Sequence, residues 1–245
     1  MFRRLKGRFK KFGAAVALLS VEMTIVLGLF ICAFIAFIFI IRRVFYLHNN
    51  QFDYRVFNYL STHVSKTHNQ TMLFFTFLGT HKFLIPANLI LIAYHLFIKK
   101  HKWYSIKIPA IALSSLGLMF GLKFLFDRPR PDIPLLFEAK GLSFPSGHAL
   151  MSVTFYGLLI YIIFKRTKNK QLKWSLITLL LLLILIIGFS RVYLRVHYAS
   201  DVVAGYCVGL LWLVVCVYTL NKLEKYSSKK IGPVVSEPII DVPTS

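Results

Sequence analysis

Long apolar runs alternate with short polar segments along most of the chain. An α-helix of about 20 apolar residues is long enough to cross the hydrocarbon core of a bilayer. Six runs come close to that length, so the pattern predicts an all-α fold, a polytopic membrane helix bundle with six transmembrane helices. The predicted spans are 21–41, 72–98, 103–126, 147–164, 172–190 and 201–220.

Two segments depart from this simple pattern. Polar residues at 79–82 interrupt the second span, which is expected to be broken or to begin with a separate short helix. The segment 42–70 is polar and aromatic, and its apolar positions predict an amphipathic helix that lies at the membrane surface or packs on the bundle as an ordinary surface helix. These positions recur every four residues, at Phe52, Val56, Leu60 and Val64.

Both ends of the chain are more polar than the region between them. The basic residues 1–20 precede an apolar run that is too long for a signal peptide and has no small-residue cleavage site, so we interpret it as an uncleaved first span. Residues 221–245 are polar, contain several prolines and are predicted to be a disordered tail. The expected organisation is a membrane domain over 21–220 between two polar ends.

The composition supports a membrane protein, and the charge supports an orientation. The 245 residues are 57% hydrophobic, with a net charge of +21 and a mean hydropathy of +0.65, which is rare in soluble domains. An excess of Lys and Arg can bind nucleic acid or set membrane topology. Most of the 30 Lys and Arg fall on segments that lie on one side of a six-span topology. The positive-inside rule makes that side, and both termini, cytoplasmic, so the bilayer is the expected partner and nucleic acid is not.

The cysteines give no sign of a disulfide framework or a metal centre. All three lie inside apolar runs without paired spacing, as small core residues do: Cys32, Cys207 and Cys216. No Cys/His spacing typical of a metal site occurs along the chain. The sequence therefore predicts neither a metal nor a cofactor.

Three polar stretches fall on the outer side of the predicted bundle. In the last of them, His197 and Asp201 are four residues apart and within reach of each other if a helix begins there. A carboxylate beside an imidazole sets its tautomer and stabilises its protonated form. Arg191 adds a planar cation suited to phosphate. Taken alone, this stretch could equally be a solvated loop between helices.

The first outer stretch carries cations at the end of the third span. Lys123 and Arg130 line a polar pocket in one interpretation, with the neighbouring prolines stiffening the loop that holds Arg130. In the other interpretation Lys123 extends toward the headgroups or pairs with Asp127.

The second outer stretch opens the fourth span. Ser146 is a natural N-cap, Gly147 lets the backbone approach an oxyanion closely, and His148 lies in the first turn. A helix start attracts anions, although this stretch alone could be a plain cap with an incidental histidine. The three stretches together supply cations, neutral donors and proton-transfer groups, which is what phosphoryl transfer without a metal requires.

The motifs occur in the order Lys-x6-Arg-Pro (123–131), Pro-Ser-Gly-His (145–148) and Ser-Arg-x5-His-x3-Asp (190–201). They resemble the three signature motifs of the type 2 phosphatidic acid phosphatase superfamily. The resemblance implies that His197 attacks phosphorus, that Asp201 orients His197, and that His148 protonates the leaving oxygen. It also implies a set of phosphate-binding residues: Lys123, Arg130, Ser146, Gly147 and Arg191. Three further outer charges are interpreted as headgroup contacts or solvated groups: Arg128, Lys140 and Arg195.

The expected function is a membrane lipid phosphatase that acts on the outer leaflet through a phosphohistidine. The motifs leave the lipid open among phosphatidate, phosphatidylglycerol phosphate, polyprenyl diphosphate and phosphorylated glycolipids. Two alternatives are a phosphotransferase that uses another acceptor than water and a non-catalytic scaffold or lipid-binding protein of the same fold. The expected location is a bacterial cytoplasmic membrane, with an enzyme of the endoplasmic reticulum as the alternative; the oligomeric state is left open.

Overall fold

A computed structural model describes residues 21–100, 102–132, 134–136 and 139–230. Within these ranges the chain forms eight α-helices, and π-helical turns extend the first to Tyr46 and the fourth to Ile98. The helices, numbered in chain order, are α1 Val21–Ile41, α2 Gln51–Ser61, α3 Lys66–Leu78, α4 His81–Ala93, α5 Lys102–Phe126, α6 Gly147–Arg166, α7 Lys170–Tyr193 and α8 Ala199–Lys230.

The predicted six-span bundle is confirmed. Six of these helices, α1 and α4 to α8, are long and apolar enough to cross a membrane, and many of their exposed side chains are large and apolar. Lipid is the solvent that such surfaces favour. No strand occurs among the described residues. The protein is an integral membrane protein, and the side on which each terminus lies remains a prediction.

The second predicted span is broken, as the polar residues at 79–82 indicated. α3 ends at Leu78 and α4 begins at His81. A Cβ atom on Gly79 would lie 2.6 Å from the Ile187 side chain and 3.1 Å from Cδ2 of His148. Glycine is therefore needed here for the turn to pack against α7 and beside the start of α6.

α6 is the central helix of the bundle. Its Leu150 packs with residues of α5 and α8, and its Phe155 packs with Ile184 and Ile187 of α7. A Cβ atom on Gly205 of α8 would lie 2.7 Å from the Ser146 carbonyl oxygen. Since small residues let membrane helices approach closely, this glycine brings the start of α8 against the start of α6.

The helix predicted within 42–70 exists, but its buried face differs from the predicted one. α2 buries Asp53, Phe57 and Leu60, whereas Phe52 and the following Val64 are exposed. Phe57 and Leu60 join a core cluster with residues at the end of α7 and the start of α8. The helix therefore packs on the bundle, which is the second of the two predicted arrangements. Leu60 and Val56 of the four-residue repeat take part in this packing, but the repeat did not include the buried Asp53.

The polar tail is helical where the structure describes it. α8 continues to Lys230, so disorder was wrongly predicted for 221–230. Lys107 of α5 explains part of the extension, because its Nζ donates to Asn221 at 2.6 Å and to Glu224 at 2.5 Å. The predictions for 1–20 and for 231–245 lie outside the described residues.

Candidate active site

The functional side chains come together where four helix ends meet. α5 ends and α6 starts on either side of the 127–146 connection, and α7 ends just before α8 starts. All eight residues that the motifs singled out lie at this end of the bundle: Lys123, Arg130, Ser146, Gly147, His148, Arg191, His197 and Asp201. The connection is tied to this end because Ser146 N donates to the Asp201 carbonyl at 3.0 Å and Leu135 N to the Leu194 carbonyl at 3.1 Å.

His197 is buried and faces Asp201 across a short gap. Its Nδ1 lies 3.6 Å from Oδ2 of Asp201. The hydroxyl of Ser143 bridges them, 3.3 Å from Nδ1, and donates a short hydrogen bond to Oδ2 of Asp201. Oδ2 also accepts from Tyr198 N at 2.9 Å. Asp201 therefore orients the imidazole and caps the first turn of α8 at once.

The other ring nitrogen of His197 faces Arg130. Nη1 of Arg130 lies 3.2 Å from Nε2, and a guanidinium has only donors. The contact assigns the lone pair to Nε2 and the proton to Nδ1, on the side of Ser143 and Asp201. Burial, aided by the cations Arg130 and Arg191 and opposed by Asp201, lowers the pKa of His197 from 6.5 to about 3. Nε2 therefore carries a free lone pair at neutral pH, as a nucleophile requires.

Three cations lie in this part of the site: Lys123, Arg130 and Arg191. Arg130 is held by the Gly141 carbonyl at 2.9 Å and the Val196 carbonyl at 2.7 Å. Lys123 Nζ donates to the Leu142 carbonyl at 2.5 Å, so Lys123 reaches into the site and makes this contact in place of the Asp127 pair weighed above. Burial lowers the pKa of Arg130 below its usual range, yet a guanidinium remains charged at neutral pH.

The third cation is held by α3. Arg191 is buried, and its Nη1 donates to the hydroxyl of Thr76 at 2.6 Å. Its Nε is buried without a hydrogen-bond partner. An arginine that is anchored at one nitrogen and unpartnered at another can accept an anion without reorganising. Thr76 was missed in the sequence, where it is one of several threonines in an apolar run.

The start of α6 offers further unused hydrogen-bonding groups. Ser146 occupies the N-cap position, but its hydroxyl makes no cap hydrogen bond and is buried without a partner. Nε2 of His148 is likewise buried and unpartnered. Buried polar atoms without partners are rare and need an explanation. A ligand with acceptor oxygens, placed between Ser146, His148 and Arg191, would provide one.

Gly147 packs more tightly than its predicted role required. A Cβ atom there would lie 2.6 Å from the Met119 sulfur of α5. The position therefore excludes a side chain for a packing reason as well as for the approach of a ligand. The first N–H groups of α6 have no partner within the helix, so they remain suited to an anion.

The three outer charges that the sequence analysis interpreted as headgroup contacts or solvated groups differ in burial. Lys140 is exposed and Arg195 is half-buried. Arg128 is only 6% exposed and forms ion pairs with Asp53 at 3.0 Å and Asp201 at 2.6 Å. Its interpretation as a solvated or headgroup-facing charge was wrong, because its partner Asp53 lies on a distant helix whose packing the sequence pattern did not predict.

No metal centre is evident among the described residues, which contain no group of three or more His, Cys, Asp or Glu side chains that could hold an ion. The positive charge of the site comes from its lysine and arginine side chains.

A family model described as the PAP2 superfamily matches residues 105–225, a range that includes all three motifs. The chain belongs to the PAP2 superfamily. Phosphatidylglycerophosphatase B of Bacillus subtilis (strain 168) is 28% identical to it over 165 residues, which cover 66% of this chain and 79% of that protein. Lipid phosphate phosphatase delta of Arabidopsis thaliana is 26% identical over 121 residues, which cover 44% of this chain but only 29% of the plant protein.

Solved structures share the fold of this PAP2 protein. A crystal structure of a transmembrane PAP2 type phosphatidylglycerolphosphate phosphatase from Bacillus subtilis gives a TM-score of 0.73 at 24% identity, over 80% of this chain and 98% of that one. LpxE from Aquifex aeolicus gives 0.54 at 25% identity, over 67% and 93%. The family match, the named relatives and the shared membrane fold all indicate the same activity. The protein is a membrane lipid phosphatase.

Proposed function

We propose that this PAP2 protein removes phosphate from a lipid phosphate monoester or diphosphate through a phosphohistidine on His197. The observation that carries the proposal is the placement of His197 between Asp201 and Arg130. Its Nδ1 faces the carboxylate and the Ser143 hydroxyl, and its Nε2 faces the guanidinium of Arg130. An activated nucleophile needs an orienting partner behind it and an electrophile in front.

In the first step Nε2 of His197 attacks phosphorus, and the bond from phosphorus to the lipid oxygen breaks. The three cations and the start of α6 hold the other phosphate oxygens, whose charge they stabilise in the transition state. His148, protonated when the anionic phosphate binds beside it, passes its proton to the departing lipid oxygen. Its buried Nε2, unpartnered here, gains an acceptor when the phosphate is bound.

In the second step water attacks the phosphohistidine. His148, now neutral, takes a proton from the water, and the bond between phosphorus and Nε2 breaks. Inorganic phosphate leaves, and both histidines return to their starting forms. No metal ion takes part, because Lys123, Arg130 and Arg191 supply the charge that phosphoryl transfer needs.

The substrate class follows from the location of the site. The site lies at one end of a membrane bundle. Most of the Lys and Arg fall on segments predicted to lie on the opposite side, so the positive-inside rule supports the outer leaflet of a bacterial cytoplasmic membrane. The name of the Bacillus subtilis relative favours phosphatidylglycerol phosphate. Phosphatidate and polyprenyl diphosphate remain in the proposed class.

Phosphate release by the purified protein in detergent with EDTA tests this function. The panel is phosphatidylglycerol phosphate, phosphatidate and undecaprenyl diphosphate, with His197→Ala as the control. We expect release by the wild-type protein alone and an acid-labile phosphoenzyme that is absent from the variant. Turnover that requires an added divalent ion, or appreciable turnover by His197→Ala, would contradict the mechanism.

A further inference from the structure

A second buried polar cluster lies behind Asp201, on the side away from the phosphate-binding groups. It joins three distant parts of the chain: Asp53 on α2, Arg128 after α5, and Ser200 on α8. Asp53 is 1% exposed, Arg128 6% and Asp201 0%. We call the set of Asp53, Arg128 and Ser200 the rear cluster. None of its members is a defining position of the three motifs, although Arg128 and Ser200 occupy variable positions within the first and the third.

Arg128 connects the rear cluster to the catalytic carboxylate. Its Nη1 donates to Oδ1 of Asp201 at 2.6 Å and to the Ser200 hydroxyl at 2.8 Å. Its Nη2 donates to Oδ2 of Asp53 at 3.0 Å and to the Asn50 side-chain oxygen at 2.9 Å. The guanidinium also lies 4.1 Å from the centre of the Tyr198 ring. The forked guanidinium of Arg128 is thus held in one orientation by hydrogen bonds at both of its terminal nitrogens.

Asp53 completes the hydrogen bonding. Its Oδ1 accepts from Ser200 N at 2.8 Å, and its Oδ2 accepts from the Ser200 hydroxyl at 2.6 Å. Both carboxylates therefore have partners for both oxygens, and one cation stands between two anions. A buried ion network of this kind adds little net stability compared with apolar packing, so its presence favours a role in geometry.

The geometry at Asp201 shows what that role is. Arg128 takes Oδ1, so Oδ2 is the oxygen left to face Nδ1 of His197 and to accept from Ser143. If the fork were lost, the carboxylate could rotate away from the imidazole. If Asp53 were lost, Arg128 would bind Asp201 alone and draw its negative charge away from His197.

We infer that Arg128 and Asp53 are positioning residues for phosphoryl transfer, which act through Asp201 on His197. Arg128 sets the rotation of the Asp201 carboxylate, and Asp53 balances the charge of Arg128 and fixes its fork. α2 is then part of the catalytic unit although it carries no motif. The inference rests on the proposed role of His197 as nucleophile.

The test compares variants of the full-length protein in detergent on the lipid with the highest turnover. Arg128→Met removes the fork, Arg128→Lys keeps a charge without the fork, and Asp53→Asn keeps the shape without the charge. Misplacement of a catalytic group by about 1 Å costs on the order of 100-fold in rate. We expect kcat to fall by about that factor in Arg128→Met, and by less in the other two, with KM within about threefold in each.

A double variant separates positioning from folding. Arg128→Met leaves the buried carboxylate of Asp53 without its cation and should lower the yield of folded protein. Asp53→Asn combined with Arg128→Met removes both charges, so we expect folded yield and melting temperature to recover while kcat stays low. Recovery of kcat together with stability would show that the rear cluster is only structural and would overturn the inference.

Matched controls use exposed charges of the same outer region. Arg55→Gln lies on α2 and Asp132→Asn lies four residues after Arg128, and both should keep wild-type kcat. Wild-type kcat in any folded rear-cluster variant that lacks Arg128 would also overturn the inference. A wild-type protein that forms no phosphohistidine would instead contradict the proposed function, so the two failures are distinguishable.

Discussion

The two ends of the bundle both bury charged groups, but they treat them differently. We call the two ends inner and outer after the predicted topology. At the inner end, Lys107 donates to Glu224 and Asn221, and Asn221 in turn donates to the Tyr161 hydroxyl at 2.9 Å. At the outer end, cations cluster around His197 beside buried polar atoms that have no partner. The inner cluster satisfies itself and joins α5, α6 and α8. The outer cluster keeps buried hydrogen-bonding groups that the proposed phosphate would use.

The presence or absence of hydrogen-bond partners distinguishes a structural charge from a functional one in a membrane bundle. A charge inside a membrane protein is costly, and it is tolerated either with a full set of partners or where function needs it. The following substitutions test whether the outer end governs turnover and the inner end governs stability.

The largest expected effect is at His197. His197→Ala should abolish phosphate release, because no other described side chain at the site combines an unprotonated nitrogen with a carboxylate behind it. The matched control is His95→Ala, which removes another buried histidine near the inner end. Turnover per folded molecule should persist in that control. Equal losses of turnover in His197→Ala and His95→Ala would contradict a special role for the outer end.

The next effect is at the unpartnered arginine. Arg191→Lys keeps the charge but loses the planar fork, and removal of one transition-state donor costs roughly 100-fold or more in kcat. Steady-state kinetics would measure the loss. Arg166→Lys makes the same change at the inner end of α6, where it should alter kcat by less than about twofold. A mild effect at Arg191 would mean that it is not a phosphate ligand.

The inner cluster should respond in the opposite way. Lys107→Met leaves Glu224 and Asn221 without their shared donor, so we expect a melting temperature several degrees lower with kcat little changed. Thermal unfolding in detergent measures this. Lys165→Gln is the control, because its pair with Glu22 is exposed at 51% and 60% and exposed pairs contribute little. Loss of turnover in folded Lys107→Met would contradict the expectation that the inner cluster affects stability alone.

The smallest effect is a pH dependence of stability. In the unfolded chain His197 takes up a proton near pH 6.5, whereas in the folded protein its pKa is about 3. The unfolded state binds more protons between these values, so this residue should make stability fall as pH decreases from 6.5 toward 3. Melting curves of wild type and His197→Gln, compared at pH 7 and pH 4.5, should show a weaker decline in the variant. An identical decline would mean that His197 is exposed.

The predicted spans succeeded because a bilayer imposes a length and an apolar composition on each helix. Even the break at Gly79 was visible, since polar residues interrupt an apolar run there. The face of α2 was not predicted, because the charge of Asp53 excluded it from every hydrophobic pattern. The helix over 221–230 was not predicted either, because its polar composition indicated disorder. In the structure, Asn221 and Glu224 of this segment accept hydrogen bonds from Lys107.

By itself, the sequence determined the membrane class, the order of the spans and the motif residues at one end of the bundle, since these depend on local composition and short spacings. Only the tertiary structure decided which charges are partners. Asp53 and Ser200 are separated by 147 residues, and Arg128 and Asp201 by 73. Such pairs form because helix packing brings their backbones together, and no local pattern encodes that approach.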